Sequence, residues 1–201
     1  MSNGIKVKKR NGRGTESLDL EKMHRMVEEA TKGIAGVSAS QVEIQSGIQF
    51  YDGITTGEIQ EILIRSASDL ITLDNPNYQF VAARLLLFSL RKSLYGKMRE
   101  LPHLEEHIYS CTNLEVYDRD IFTKYSKEEI DKVNGFIDHE RDFLFTYAGL
   151  RQVVDKYLVQ DRSTGKVYET PQFMYMMIAL TIFAEYPKEK RLNYVRRYYD
   201  A

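Results

Sequence analysis

The chain has 201 residues, of which 43% are hydrophobic and 28% charged, and its formal net charge is −1. This composition is typical of a folded protein, and the near-zero charge excludes a global positive field for holding DNA. A single cysteine excludes an internal disulfide framework and a cysteine-based zinc site. The N-terminus lacks the apolar core of a signal peptide, and no run reaches the roughly 18 to 20 apolar residues of a membrane span. We therefore expect a soluble protein of the cytoplasm.

A short basic hairpin is predicted at the start of the chain. Ile5 and Val7 alternate with lysines, and Asn11-Gly12 indicates a tight turn because both residues tolerate positive φ. The three cations at 8–10 stand next to this turn. From the residues alone they fit either a triphosphate site, which needs Lys or Arg donors, or a solvated strand edge protected by charge.

Three capped helices are predicted to follow. Asp19 is a suitable N-cap for the first helix. Ser38 with Gln41, and Thr55 with Glu58, match the capping-box pattern and predict the starts of the second and third helices. The first and third helices have apolar residues at helical spacing, which predicts one buried face for each.

Glycines and a change in composition predict where these elements end. The second helix should end at Gly53. A fourth helix, over about 78–95, is apolar nearly all round, which predicts a central position, and Gly96 should stop it. We place a domain boundary there, with one domain over 5–95 and a second, mainly helical one over 96–201.

The second half of the chain is also predicted to be mainly helical. Ser126 with Glu129 forms a further capping box, and residues 157–168 predict a small hairpin around a Ser-Thr-Gly turn. Thr170 and Pro171 are suitable as N-cap and first residue of another helix. That helix is apolar on every side but only about 15 residues long, which favours a buried core helix over a membrane span.

One pattern in this half matches a metal-binding motif. Residues 103–107 read His-Leu-Glu-Glu-His, the H-x-x-E-H order of inverted zinc peptidases. Two solvent-exposed histidines one turn apart explain the pattern as well. We therefore assign no metal site.

Further segments resemble a known family. The first half resembles the ATP-cone domain at the N-terminus of the ribonucleoside-diphosphate reductase large subunit in VKKRNG, ESLDLEKM, FYDGITT and NYQFVAARLLLFSLRKSLYG. The second half resembles the helical lead-in to the catalytic barrel of the class I enzyme in FIDHERDFLFTYAGL, KYLVQDRSTGKVYETPQF and YPKEKRLNYVRRYYDA. The resemblance implies a mainly α fold, in which a small β-hairpin caps a four-helix bundle and a helical region with a small β-hairpin follows.

The resemblance also implies an allosteric site for ATP or dATP with Mg²⁺. Two cations of the first strand would approach the phosphates together with residues of the third and fourth helices, while the start of the first helix would surround the base and ribose. Gln60 and Ser89 stand where members strongly inhibited by dATP often carry histidines. The implied nucleotide-binding residues are Val7, Lys9, Arg10, Glu16, Ser17, Leu18, Asp19, Leu20, Glu21, Lys22, Met23, Thr56, Gln60, Ser89 and Lys92.

The family's reaction replaces the ribose 2′-hydroxyl by hydrogen and needs at least three cysteines, whereas this chain has only Cys111. The resemblance therefore implies a chain that is inactive alone, as a fragment or split part of a large subunit. It would work with the rest of that subunit and a radical-generating small subunit, and regulate deoxyribonucleotide supply for DNA synthesis without a redox cofactor of its own. The alternative is a free-standing ATP-sensing regulator, for example a transcriptional one, but the zinc ribbon and basic charge suited to DNA are absent.

Overall fold

The computed structural model describes residues 5–9 and 14–201, which form two compact units. Among these residues no helix combines the length and the apolar character that crossing a membrane requires. The predicted domain boundary near Gly96 stays a prediction. The first unit comprises the chain up to Ser89 together with Phe143–Arg151, and the second comprises Leu90–Asp142 and Gln152–Ala201.

A three-stranded sheet begins the first unit. Strand β1 (Lys6–Lys8) pairs antiparallel with β2 (Thr15–Ser17), which confirms the predicted hairpin. The other edge of β1 pairs in parallel with β3 (Ile54–Thr55). The sequence did not predict β3, because two residues are too few to show an alternating pattern. The predicted turn at Asn11-Gly12 lies outside the described residues.

Four helices complete the core of the first unit. Val27, Leu63 and Phe88 are all 0% exposed, and the fourth helix is buried along most of its length, as its apolar sequence predicted. This helix runs on into the residues of the second unit. The four helices are α1 (Leu20–Thr31), α2 (Ala39–Gly47), α3 (Thr56–Asp69) and α4 (Tyr78–Tyr95).

Two of the three predicted caps in this unit are confirmed. The Asp19 carboxylate accepts a hydrogen bond from the Lys22 backbone N–H at 2.9 Å. Thr55 and Glu58 form the complete reciprocal capping box at the start of α3.

The capping box predicted for Ser38 and Gln41 is wrong. The Ser38 side chain makes no cap bond, and its backbone N–H donates instead to the Tyr78 hydroxyl at 2.9 Å. That hydroxyl donates in turn to the Gln41 side chain, so a residue about 40 positions away occupies both groups.

The predicted end of α2 at Gly53 is also wrong. The helix ends at Gly47, and Gly53 lies in the turn before β3. Its φ of +84° suits glycine, and its N–H donates to the Lys6 carbonyl at 2.8 Å. Gly53 therefore joins β3 to β1 rather than stopping a helix.

The remaining elements confirm the predicted helical second half. They include the Ser126–Glu129 capping box, the small hairpin, and a helix that begins at Pro171 after Thr170. The helices are α5 (Leu104–Asn113), α6 (Ile121–Lys124), α7 (Lys127–Asn134), a 3-10 helix (His139–Leu144), α8 (Tyr147–Gln152), a π-helical turn (Val153–Tyr157), α9 (Pro171–Ile182) and α10 (Lys188–Asp200), and the strands are β4 (Gln160–Asp161) and β5 (Lys166–Val167).

Helix α9 forms the centre of the second unit, as predicted for a buried core helix. Phe173, Met176 and Leu180 are each 0% exposed and belong to one hydrophobic cluster with Ile108 of α5 and Val195 of α10. Helix α9 also contacts α10 directly.

Candidate functional site

The basic strand β1 and the start of helix α3 lie next to each other. Lys8 is opposite Thr55 in the parallel pairing of β1 and β3, and Thr55 is the N-cap of α3. A helix N-terminus offers free backbone N–H groups and a partial positive charge, both of which favour anions. The fold therefore places a lysine strand beside a helix start suited to a phosphate group.

The cap that fixes this helix start is reinforced by a side chain from the preceding turn. Glu58 accepts from the Thr55 N–H at 2.8 Å and from the Tyr51 hydroxyl at 2.7 Å. The bonds from the backbone and hydroxyl of Thr55, followed by that from Tyr51 and the charge of Lys8, lower the pKa of the Glu58 carboxyl. Tyr51 was missed by sequence reasoning, because nothing in the local pattern links it to the cap.

Lys9 forms an exposed ion pair with Glu16, which a phosphate group can replace. Its Nζ lies 2.9 Å from a carboxylate oxygen of Glu16, and the two side chains are 43% and 44% exposed. Exposed pairs of this kind contribute about 0.2 to 1 kcal/mol, so replacing Glu16 by a phosphate costs little. Arg10, the other predicted phosphate ligand of this strand, lies outside the described residues.

Two acidic residues of the segment predicted to surround the base differ in their contacts: Asp19 caps a helix, whereas Glu16 forms an exposed ion pair. Asp19 caps α1 through the Lys22 N–H, so its carboxylate is occupied. Among the described residues Glu16 pairs with the exposed Lys9, so its carboxylate is more readily available than that of Asp19 to accept from an adenine amino group. Val7 is 3% exposed, so its side chain belongs to the core.

Part of this segment lines a groove of about 530 Å³ between the hairpin, α1 and α2. Leu20 is 60% exposed at its edge, which leaves an apolar surface open to solvent. Of the residues predicted to bind nucleotide, Leu18, Leu20 and Met23 line the groove, together with Ile5, His24, Glu43, Ile44, Gly47 and Phe50. Thr56, Gln60 and Ser89 are not among its described lining residues.

Gln60 has a buried polar atom whose partner is missing among the described residues. The residue is 7% exposed and its Nε2 donates to the sulfur of Met26 at 3.1 Å, but no described group bonds its Oε1. A buried acceptor left unpaired costs about 1 to 3 kcal/mol. Because Gln60 follows Thr56 by four residues on α3, both lie on the same side of the helix.

Helix α4 carries two of the predicted residues, whereas Ser17 ends β2 and Glu21 lies in the first turn of α1. Ser89 is 9% exposed and belongs to the first unit, whereas Lys92 lies in the last turn of the helix, within the second unit. Their participation in a nucleotide site stays a prediction.

The histidine pattern at 103–107 does not form the zinc site that its spacing resembles. His107 is 2% exposed, which corrects the expectation of two exposed histidines. Its ring stacks on Phe173 at 4.2 Å, and its Nε2 lies 3.1 Å from the Tyr117 hydroxyl. Burial, and next the nearby His139, lower the pKa of His107 to about 4, so it is a neutral core side chain at neutral pH.

Cys111 shares this buried environment. It is 3% exposed, and burial raises the pKa of its thiol to about 12. A thiol that stays protonated is a poor nucleophile, so this cysteine is unreactive.

Comparison with known proteins gives two domain matches. Residues 5–93 match the ATP cone domain, and residues 143–201 match the all-alpha domain of ribonucleotide reductase. The whole chain is 47% identical to ribonucleoside-diphosphate reductase subunit alpha of Haemophilus influenzae and 47% identical to ribonucleoside-diphosphate reductase 1 subunit alpha of Escherichia coli, covering 26% of each. It is also 41% identical over 189 residues to the alpha subunit of Enterobacteria phage T4, covering 93% of this chain and 24% of that protein. The chain thus spans about a quarter of the length of these relatives.

Proposed function

The chain belongs to the ribonucleoside-diphosphate reductase alpha family, of which it corresponds to the N-terminal part, and we propose that its ATP-cone domain binds ATP or dATP as an allosteric effector. The observation that carries the proposal is the basic strand β1 beside the capped start of α3, within the residues that match the ATP cone domain. Cations and free helix N–H groups together suit a triphosphate.

The phosphates replace Glu16 as the partner of Lys9. Because the Lys9–Glu16 pair is exposed, the exchange costs less than a new bond between a cation and a phosphate contributes. Arg10 and Lys92 supply further positive charge, and Thr56 is the first residue of α3. Mg²⁺ binds together with the triphosphate. The released Glu16 is then available to the adenine amino group.

Gln60 takes part through its unpaired Oε1. An acceptor needs a donor, and the sugar hydroxyls of a nucleotide are donors, whereas its phosphates are not at neutral pH. A sugar hydroxyl thus supplies the partner that the buried carbonyl lacks among the described residues. ATP carries one more sugar hydroxyl than dATP, so Gln60 is the residue from which we expect discrimination between them.

The nucleotide site serves an enzyme whose chemistry lies outside this chain. The relatives are named ribonucleoside-diphosphate reductase, and the chain covers about a quarter of them. We propose that the chain acts with the rest of a large subunit and with a small beta subunit, and has no reductase activity alone. The match at 143–201 favours this role over a free-standing regulator, and the buried Cys111 is unsuited to radical or disulfide chemistry.

Calorimetric titration of ATP and dATP into the chain tests the site. We compare the wild type with Lys9→Ala and Lys92→Ala, and use Lys132→Ala, an exposed lysine of α7, as the matched control. A lost hydrogen bond to a charged group costs about 1.5 to 3 kcal/mol, so each site variant should bind about 10-fold to 100-fold more weakly. No binding by the wild type would refute the effector role, and unchanged binding in both variants would refute the assignment of the lysines.

A further inference from the structure

The second unit contains a chain of buried polar side chains that the nucleotide site does not include. Arg91 and Asp142 are each 1% exposed, Gln172 is 3% exposed and Tyr199 is 7% exposed. They come from the C-terminal part of α4, the 3-10 helix, the first turn of α9 and the last turn of α10. Buried polar groups of this kind are costly unless every member is paired.

Hydrogen bonds connect these four residues in sequence. Arg91 Nη2 donates to Asp142 Oδ2 at 2.8 Å, and Gln172 Nε2 donates to the other carboxylate oxygen at 3.0 Å. Tyr199 donates to Gln172 Oε1 at 2.6 Å and accepts from the Asp138 N–H at 2.9 Å.

A second contact closes the network around the 3-10 helix. Arg91 Nη2 also donates to the backbone carbonyl of His139 at 2.9 Å. Arg91 and Tyr199 therefore hold the segment 138–142 from α4 and from α10 respectively. We call Arg91, Asp142, Gln172 and Tyr199 the buried relay.

The buried Arg91–Asp142 ion pair of the relay resists separation. Removing one partner from a buried ion pair leaves an uncompensated charge, which costs more than the free energy by which an effector typically biases a protein. A displacement at one end is therefore transmitted by movement of the whole chain of bonds rather than by rupture of the Arg91–Asp142 pair.

Helix geometry shows what the relay holds in place. Adjacent residues of an α-helix point about 100° apart, so Arg91 enters the relay while its neighbour Lys92 points in a different direction from the same turn. Lys92 is one of the cations that the proposed function assigns to the nucleotide phosphates.

We propose that the buried relay makes Tyr199 a positioning residue for Lys92, so that nucleotide binding and the packing of α10 are coupled. This inference rests on the proposed function, because it assumes that Lys92 contacts the effector. Coupling of this kind is reciprocal: a change at Tyr199 that loosens the last turn of α4 also weakens the nucleotide complex.

Tyr199→Phe tests the relay with little disturbance. The variant keeps the ring over which the Arg141 guanidinium lies at 4.9 Å, and removes only the hydroxyl. Tyr198→Phe is the matched control, because Tyr198 is the adjacent residue of α10, is 46% exposed, and contacts Phe183 through its ring.

The first measurement is amide hydrogen exchange of the last turn of α4 in the absence of nucleotide, and the second is calorimetric titration of ATP. We expect Tyr199→Phe, relative to Tyr198→Phe, to exchange about fivefold faster in that turn and to bind ATP about fivefold more weakly, at the low end of typical coupling. Unchanged exchange overturns the link from α10 to α4. Faster exchange with unchanged ATP affinity overturns the coupling to nucleotide. If Tyr199→Phe exchanges faster but the wild type binds no ATP, the link from α10 to α4 stands and the proposed function is refuted.

Discussion

Replacing Gln60 by leucine separates a structural role of this side chain from a role in ligand binding. Gln60 is 7% exposed, its Nε2 bonds only the Met26 sulfur, and its Oε1 lacks a partner among the described residues. Leucine is of similar size and has no polar atoms. Gln60→Leu therefore removes an unsatisfied buried carbonyl and gives up one weak bond to sulfur.

The two effects have opposite signs for stability and for binding. The unpaired carbonyl costs about 1 to 3 kcal/mol, and thioether sulfur is a weak acceptor, so the free energy of unfolding should rise by about 1 kcal/mol. If Oε1 accepts from the nucleotide, the variant loses that bond, and ATP affinity should fall about tenfold, equivalent to about 1.4 kcal/mol. A residue that only fills the core would not produce this combination.

Urea unfolding monitored by circular dichroism gives the stability, and calorimetric titration gives the ATP and dATP affinities. Gln45→Leu is the control, because Gln45 is an exposed glutamine of α2 and its substitution should change stability by less than about 0.5 kcal/mol. A loss of more than about 1 kcal/mol with unchanged ATP affinity would contradict the reasoning. In that case Gln60 serves the fold, and its carbonyl is satisfied by a group other than the nucleotide.

Three further predictions concern stability. Thr55→Ala removes the α3 cap, in which the Thr55 hydroxyl accepts from the Glu58 N–H at 3.1 Å, and urea unfolding should show a loss of about 1 kcal/mol. Tyr125→Phe removes the buried bond to the Leu180 carbonyl at 2.7 Å, and the same assay should show a loss of about 1 to 3 kcal/mol; no loss would mean that the carbonyl finds another donor. Burial lowers the pKa of His107 to about 4, so the unfolded chain binds a proton at a pH where the folded protein does not, and this contribution is complete above about pH 6.5 and is lost as the pH falls toward 4. Between pH 7 and pH 5 the wild type should lose about 2 kcal/mol more than His107→Gln, and equal pH dependence would show that His107 is not held neutral.

Features that depend on neighbouring residues could be read from the sequence. The hairpin of β1 and β2, the Thr55–Glu58 cap and the helix beginning at Pro171 all appear where the residues predict them. In each case the groups that interact lie within a few positions or form a local turn, so the chemistry of the segment is enough to specify them.

Features that depend on distant partners were decided by the tertiary structure. The Ser38 N–H and the Gln41 side chain do not bond each other, because the hydroxyl of Tyr78, about 40 positions from Ser38, accepts from the first and donates to the second. His107 is stacked on Phe173 in the core, so the histidine spacing that resembles a metal-binding motif serves packing instead.

The candidate site divides in the same way. Its residue types and their order resembled a family that binds adenine nucleotides. The matches at 5–93 and 143–201 bear out the family resemblance. The sequence could not show that Lys9 is paired with Glu16, that the Gln60 carbonyl is buried against Met26, or that Arg91 is bonded to a carboxylate 51 positions later. Burial and pairing depend on which surfaces meet after folding, and only the packed structure brings those groups together.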